Sequence, residues 1–410
     1  YSMLTHINAK GLFVTYNEMQ ARRAFEDFQL FLGDDVVYFP PKETMLYSVE
    51  AKSNDIIYQR VKTLLRCLNG DYKVIVLPAE ALIQLITPKD VFMEGVINIE
   101  LGDQLKLEEL ISKLILYGYE RVEVVEGKAQ FAIRGGIIDI FTINNEHPLR
   151  IELFDTEVDS IRYFDETTQR STNSVDSCTI APVRDVVFDD GSKDLIIAKI
   201  RKDLKDYVNK LNKKSGSEEV AANIVKRVDE DIESLKEHHY FAGIDRYLPY
   251  ILEKPQSVLN YIDHDTVVIL DETIRISQRI ENVELEQEEL AKSLLEKGTL
   301  LPGGVKWTHS FDNIVDEIKT FKVLTLAAIA SNNALIRPSS QISIPCRTGN
   351  SYQNHMELLI NDIVMLKEKK YKIVVLSGPS GRGHRLVETL ATNDIMSNYT
   401  DDCEKEVQEG

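Results

Sequence analysis

Two segments of this 410-residue chain have residue types and spacings that could bind a nucleotide. In the first, a strand-like run at 372–376 leads into the Gly-rich sequence 378–385 and a predicted helix, which is the outline of a phosphate-binding P-loop. His384 stands where that loop needs the lysine that reaches the β- and γ-phosphates, and Arg385 stands where it needs the hydroxyl that holds Mg²⁺. We therefore interpret the segment as an ordinary Gly-rich turn between a strand and a helix.

The second segment is an apolar run, 267–270, that ends in Asp271 and Glu272. It resembles a Walker B element, in which the aspartate holds Mg²⁺ and the glutamate activates water. Without a P-loop lysine, such a pair has little to hold its phosphates. The preferred interpretation is a vestigial pair of carboxylates that offsets the dipole at the N-terminus of the following helix, predicted at 281–296.

A third pattern favours protein binding. In a strand, alternate residues share a face, so Ile151 and Leu153 should point into a core while Arg150, Glu152 and Phe154 point away from it. Arginine and aromatic residues dominate binding hot spots, where truncation costs about 2 kcal/mol or more. The alternative is a Phe154 ring covered by a neighbouring loop of the same chain.

Other kinds of site find little support in the sequence. The four cysteines are far apart and form no CxxC pair, which argues against the usual zinc motifs and favours reduced thiols in the cytosol. The adjacent His238 and His239 point to different faces of a helix and lack partner ligands at helical spacing, so no metal site is predicted. No Ser/His/Asp set can be nominated. The cysteines are Cys67, Cys178, Cys346 and Cys403.

Composition limits the function further. Lys and Arg total 48 against 66 Asp and Glu, and the formal net charge of −18 argues against a dominant role in gripping DNA, although a local basic patch is compatible with it. Hydrophobic residues make up 43% of the chain, which is enough for several cores. No apolar run reaches the roughly 18 residues that span a membrane. A strand-like start without a leader favours a chain that begins within a fold.

Strands and helices alternate at the beginning of the chain, with Asn17 as a candidate N-cap. This alternation predicts a parallel α/β sheet. The predicted strands are 11–16, 36–39 and 73–77, and the predicted helices are 18–32 and 53–67.

The pattern changes near Gly102. A short helix at 107–116 and closely spaced strands predict a compact α+β insert that ends near Pro182. A charged helical arm follows at 193–239, with a break at 214–217, and 338–351 has the composition of a linker. The strands predicted for the insert are 122–125, 130–133, 137–141, 149–154 and 159–164, and those after it are 267–270, 323–327 and 372–376.

The runs 131–141 and 149–162 resemble the UvrA-binding domain that UvrB shares with the bacterial transcription-repair coupling factors (Mfd). Only residues 40–54 separate Phe39 from Asp55, which leaves no room for the DNA-threading hairpin of UvrB, and no GxxxxGK[ST] occurs. Both features favour the coupling factors over UvrB. Further segments match in the family's order, namely 39–47, 55–60, 75–82 and 240–247.

The resemblance implies a degenerate RecA/helicase-like parallel-sheet domain split by a small α+β UvrA-binding domain, followed by the start of a third α/β domain. The expected segments are 1–101 for the first part of the α/β domain, 102–187 for the insert, 188–348 for the rest of the α/β domain, and 349–410 for the third domain.

The resemblance also implies a function. Arg134, Arg150 and Phe154 match the positions through which the family contacts UvrA, and a bulge at Gly135–Gly136 could aim Arg134 outward. The chain would be a non-catalytic, cytoplasmic adaptor without cofactor. Other domains of the full protein would bind RNA polymerase, drive an ATP- and Mg²⁺-dependent translocase along double-stranded DNA, and mask the UvrA-binding face. The alternative is a UvrB-like, ATP-dependent damage-verification protein.

Overall fold

The computed structural model divides the chain into two compact units, residues 1–338 and 339–410. The residues it describes are 2–42, 54–188, 190–237, 240–241, 243–329, 336–344, 352, 355–377 and 380–401.

The strands, in chain order, are β1 Gly11–Thr15, β2 Val36–Tyr38, β3 Val74–Pro78, β4 Ile97–Glu100, β5 Glu120–Arg121, β6 Gln130–Arg134, β7 Ile137–Phe141, β8 Leu149–Phe154, β9 Glu157–Phe164, β10 Ser171–Val175, β11 Ser177–Ile180, β12 Val267–Asp271 and β13 Lys322–Leu326.

The α-helices, in chain order, are α1 Ser2–His6, α2 Glu18–Leu32, α3 Asp55–Asn69, α4 Ala79–Leu82, α5 Lys89–Glu94, α6 Leu107–Leu116, α7 Asp190–Leu211, α8 Glu218–Glu237, α9 Leu248–Ile251, α10 Thr273–Glu296, α11 Phe311–Ile318, α12 Met356–Glu368 and α13 Ser380–Ala391.

A parallel sheet with the strand order β13-β12-β1-β3-β2 forms the centre of the first unit. Both faces of this sheet are covered. In β1, for example, Leu12 and Val14 lie in the largest hydrophobic core while Phe13 packs in a second core on the opposite face. Burial on both faces explains why these strands read as continuous apolar runs rather than as alternating patterns. The predicted α/β class is confirmed.

Local signals set the boundaries of several helices. The side chain of Asn17 accepts a hydrogen bond from the backbone N–H of Gln20 at 2.9 Å, so the predicted N-cap of α2 is confirmed. The predicted helix at 107–116 matches α6, and the charged arm consists of α7 and α8 with a break between them. Helix α10 begins at Thr273, directly after Glu272, so the prediction of a start at residue 281 was wrong.

A second sheet forms the insert, with the strand order β10-β9-β8-β7-β6-β5. Its strands are antiparallel except for the short β5–β6 pair. One face packs with α6 in the largest core, where Leu114, Phe131 and Ile151 are fully buried. Strands β4 and β11 pair antiparallel beside it. The predicted small sheet domain is therefore confirmed, while the predicted domain bounds remain predictions.

Two predicted strands are absent from the described residues. Residues 122–125 lie outside β5, and Val125 instead packs on the far face of the insert sheet with Phe141 and Phe164. Residues 372–376 form no strand, although their composition is apolar. A strand needs a neighbour for its N–H and C=O groups, and composition alone does not supply one.

The second unit, described by itself, contains α12 and α13. The two helices pack through a small cluster formed by Leu359, Ile363, Leu390 and Ile395. Residues 338–344 have neither helix nor strand, in agreement with the predicted linker, whose remaining residues 345–351 lie outside the described part of the chain.

Candidate protein-binding surface

The register of the insert sheet brings Arg134 and Arg150 to one face. Asp139 of β7 pairs with Ala132 on one side and with Arg150 on the other. Directly paired residues of an antiparallel sheet point to the same face, and Arg134 lies two residues beyond Ala132 on β6. The two arginines and Asp139 therefore share a face, opposite the buried Ile151.

Phe154 ends β8 on this same face. The alternation predicted for 150–154 is confirmed: Ile151 is fully buried and Leu153 packs against the core, whereas the Phe154 side chain is 78% exposed. The sequence left open that a loop of the same chain covers the Phe154 ring. The structure shows the ring exposed instead. An aromatic ring this exposed is the kind of group that protein interfaces bury.

The two arginines meet at one buried carboxylate. The Asp139 side chain is 1% exposed, and Arg150 donates from Nε to Oδ1 at 2.6 Å and from Nη2 to Oδ2 at 2.9 Å. Arg134 donates from Nη2 to Oδ2 of the same carboxylate. The hydrogen bonds and charge of Asp139 raise the pKa of Arg150 above its ordinary value. The single carboxylate of Asp139 therefore binds the guanidinium groups of both arginines.

The arginines differ in their access to solvent. Arg150 also donates from Nη1 to the carbonyl of Gln169 at 3.2 Å, and its guanidinium lies 4.7 Å from the centre of the Phe164 ring. Its side chain is 15% exposed, against 50% for Arg134. Arg150 is thus fixed in place, while Arg134 is the cation that faces outward.

The turn at Gly135–Gly136 contains no bulge, so that prediction was wrong. The β6–β7 register runs unbroken to the pair Arg134–Ile137, and strand alternation alone directs Arg134. Gly136 is instead required by a close approach, because a Cβ there would lie 2.9 Å from the carbonyl oxygen of Leu153. The irregularity is in β9, where Asp159 is the extra residue opposite Glu152 and Leu153.

The sequence did not single out Asp139 or Ile137 as part of this surface. Ile137 is directly paired with both Arg134 and Glu152, and it is 36% exposed beside them. One signal for Asp139 was available, since a carboxylate interrupts the otherwise apolar run of β7. A charge in such a run needs a partner when it is buried.

The Walker B-like pair lies at the carboxyl edge of the parallel sheet, and both carboxylates have partners inside the fold. Thr15, fully buried at the end of β1, donates to Oδ2 of Asp271 at 3.1 Å. Burial and the neighbouring Glu272 raise the pKa of Asp271. Glu272 precedes α10 as predicted, but its side chain accepts from the N–H of Ala328 at 2.8 Å and does not cap the helix.

The P-loop outline does not form a loop in the residues that the structure describes. Ser380 begins α13, so His384 and Arg385 lie within a helix, and the His384 ring centre is 4.5 Å from that of Tyr399. Gly378 and Pro379 are outside the described residues.

Metal and thiol chemistry have no support in the described chain. It holds no group of three or more His, Cys, Asp or Glu residues that could bind a metal ion, and His238 and His239 fall outside it. Cys67 and Cys178 are buried free thiols, and burial raises the pKa of each to about 12. Cys346 and Cys403 are among the residues not described. No helix within the described ranges is long and apolar enough to cross a membrane.

Comparison with known proteins identifies the region that carries this surface. The family model of the UvrB interaction domain matches residues 97–185, which include β6 to β9. The transcription-repair-coupling factor of Bacillus subtilis is 32% identical over 409 residues, covering 99% of this chain and 34% of that protein. Those of Staphylococcus aureus and Staphylococcus epidermidis are each 26% identical, covering 95% and 96% of this chain and 33% of each relative.

The chain thus spans about a third of the length of the curated relatives that it matches. The similarity extends over nearly all of this chain, and the exposed Phe154 and the two arginines on its face lie within the matched domain. The chain therefore carries a UvrB interaction domain and is similar, over nearly all of its length, to about a third of the length of the transcription-repair-coupling factors.

Proposed function

We propose that this chain is the N-terminal module with which a transcription-repair-coupling factor recruits UvrA to stalled RNA polymerase in transcription-coupled nucleotide excision repair. The observation that carries the proposal is the exposed Phe154 ring on the same face of the matched domain as Arg134. The names of the relatives and of the family model support it.

The side chains of this surface indicate which groups UvrA should present to it. Phe154 needs an apolar pocket, and burial of such an aromatic anchor contributes about 2 kcal/mol or more. Arg134 presents a guanidinium whose planar fork suits a carboxylate. We therefore expect UvrA to offer an apolar depression with an acidic residue at its rim.

In this proposal the chain binds UvrA and does not itself catalyse a reaction. Asp271 and Glu272 have partners within the fold, and the P-loop outline lacks its lysine. A UvrB-like damage-verification enzyme is therefore not favoured. Such an enzyme would require that this chain hydrolyse ATP and that Asp271→Ala abolish the hydrolysis. RNA polymerase and double-stranded DNA would be engaged by other domains of the cytoplasmic full-length protein, with ATP and Mg²⁺ used there.

A binding experiment with UvrA tests the recruitment. Wild-type chain, Phe154→Ala and Arg150→Ala are titrated against immobilised UvrA, with Leu30→Ala as the matched control, because Leu30 is an 81% exposed apolar residue on α2. We expect Phe154→Ala and Arg150→Ala each to bind UvrA about tenfold or more weakly than wild type, and the control to bind like wild type. Equal retention of all four proteins would exclude this surface as the UvrA site.

Regulation by another domain of the full-length protein is a further part of the proposal. The resemblance implies that a C-terminal domain covers the Arg134 and Phe154 face until polymerase is engaged. The isolated chain should then bind UvrA more tightly than the full-length protein does. Equal affinities would argue against masking while leaving the recruitment itself intact.

A further inference from the structure

We infer that Asp139 is the positioning residue of the UvrA-binding surface, fixing the guanidinium groups of Arg134 and Arg150 without itself touching the partner. The inference rests on the proposed function. Asp139 is nearly inaccessible to solvent, so a docked protein meets the arginines rather than the carboxylate that holds them.

The contact with Arg150 defines an orientation and not only a distance. Nε and Nη2 of Arg150 donate to the two different oxygens of Asp139, at 2.6 and 2.9 Å. Such a two-point contact fixes the plane of the guanidinium. Phe164 supports that plane from one side, and the Gln169 carbonyl accepts from Nη1. Arg150 therefore cannot turn away without breaking both hydrogen bonds to Asp139.

Arg134 depends on Asp139 in a different way. Its bond to Oδ2 is the one hydrogen bond that the described residues provide for this side chain, which is half exposed. Because half of the side chain is exposed, N–H groups that do not bond Asp139 can donate to a partner. A long side chain that is already ordered loses less conformational entropy when it binds. Asp139 thus prepares Arg134 for docking.

The neighbouring charges make this anchor necessary. Arg150 is directly paired with Arg162 across β8 and β9, and like charges in that position repel. Glu152 lies 3.5 Å from Arg162 and draws that guanidinium toward itself. If the negative charge of Asp139 were lost, Arg134 and Arg150 would repel each other across a neutral side chain. The layout of the cationic surface therefore depends on Asp139.

The test compares Asp139→Asn with wild type in equilibrium binding of UvrA, using the whole chain. We expect affinity to fall about tenfold or more, in the range of moderate hot-spot substitutions. In the double variant Arg134→Ala/Arg150→Ala, adding Asp139→Asn should change affinity by less than about twofold, because its effect passes through the two arginines. Glu108→Gln is the matched control: Glu108 is an exposed carboxylate on α6, which packs against the opposite face of the same sheet, and the variant should bind like wild type.

A structural readout separates positioning from general damage. In Asp139→Asn, we expect the NMR signal of the Arg150 Nε–H to move and to exchange faster, while Phe154→Ala still weakens binding by the same factor as in wild type. Unchanged affinity of Asp139→Asn would overturn the inference, and so would an equal loss in the arginine-free background. Should Phe154→Ala and Arg134→Ala also bind like wild type, the proposed UvrA site itself would fail.

Discussion

Asp139 and Asp185 are both buried aspartates shared by two basic side chains, yet their surroundings differ. Asp185 lies 2.7 Å from Arg60 and 3.6 Å from Lys42, and both its side chain and that of Arg60 are almost completely buried. At Asp139, one of the two cations is half exposed. The same kind of ion pair is closed inside the fold at Asp185, whereas at Asp139 it opens onto the face that we propose binds UvrA.

The closed cluster joins distant parts of the chain. Arg60 of α3 also donates to the carbonyl of Pro40 and to Gln84, and Lys42 bonds Asp245 at 2.9 Å. Asp185 ends the matched domain, so the cluster fastens this domain to the parallel-sheet part. The donors of this cluster bond within the fold, so we expect it to contribute to stability, whereas in the proposed function the cluster at Asp139 leaves donors for a partner.

Among the charge-removing variants, loss of the Asp185 charge should have the largest effect on folding. Asp185→Asn leaves Arg60 buried without its counterion, so the free energy of unfolding should fall by about 3–5 kcal/mol. Urea unfolding measures this change. Asp263→Asn is the control, since Asp263 pairs with Lys10 while 54% exposed, and it should cost less than about 1 kcal/mol. Equal losses would contradict a special role for the closed cluster.

The same carboxylate gives a pH dependence. Burial by itself raises the pKa of Asp185, but the charges of Lys42 and Arg60 together outweigh it and lower the pKa from 3.8 to about 2. Because the folded-state pKa is depressed, the stabilisation is present above pH 3.8 and is lost as pH falls toward 2. The stability difference between wild type and Asp185→Asn should therefore shrink in that window, and a constant difference would refute the assignment.

Asp139→Asn should reduce folding stability by less, about 1–3 kcal/mol, because the half-exposed Arg134 can be hydrated when its partner loses charge. The same urea series measures it. A loss as large as that of Asp185→Asn would show that the two clusters do not differ as described.

Phe154→Ala should leave the free energy of unfolding within about 0.5 kcal/mol of wild type, because the ring contributes little to the core. Phe164→Ala is the contrasting variant in the same domain, since Phe164 is almost fully buried, and it should cost about 3–5 kcal/mol. Thermal or urea unfolding of both variants measures the contrast. A large stability loss in Phe154→Ala would assign its ring a structural role.

The sequence by itself determined features that depend on neighbours along the chain. Strand alternation predicted that Ile151 is buried and Phe154 exposed, and Asn17 predicted the start of α2. The resemblance within 131–162 located the domain that the family model matches. These signals succeed because strand and helix periodicities, and helix caps, are set within a few residues.

Only the tertiary structure decided which distant residues meet. Asp139 joins Arg134 and Arg150 because the register of three strands places them on one face, and local periodicity does not encode that register. The run 372–376 has strand composition but no strand, because pairing requires a neighbour supplied from elsewhere. A buried charge can stabilise the fold, or it can order a surface for binding. Which of the two it does depends on how far the surrounding helices and strands leave its charged partners exposed to solvent.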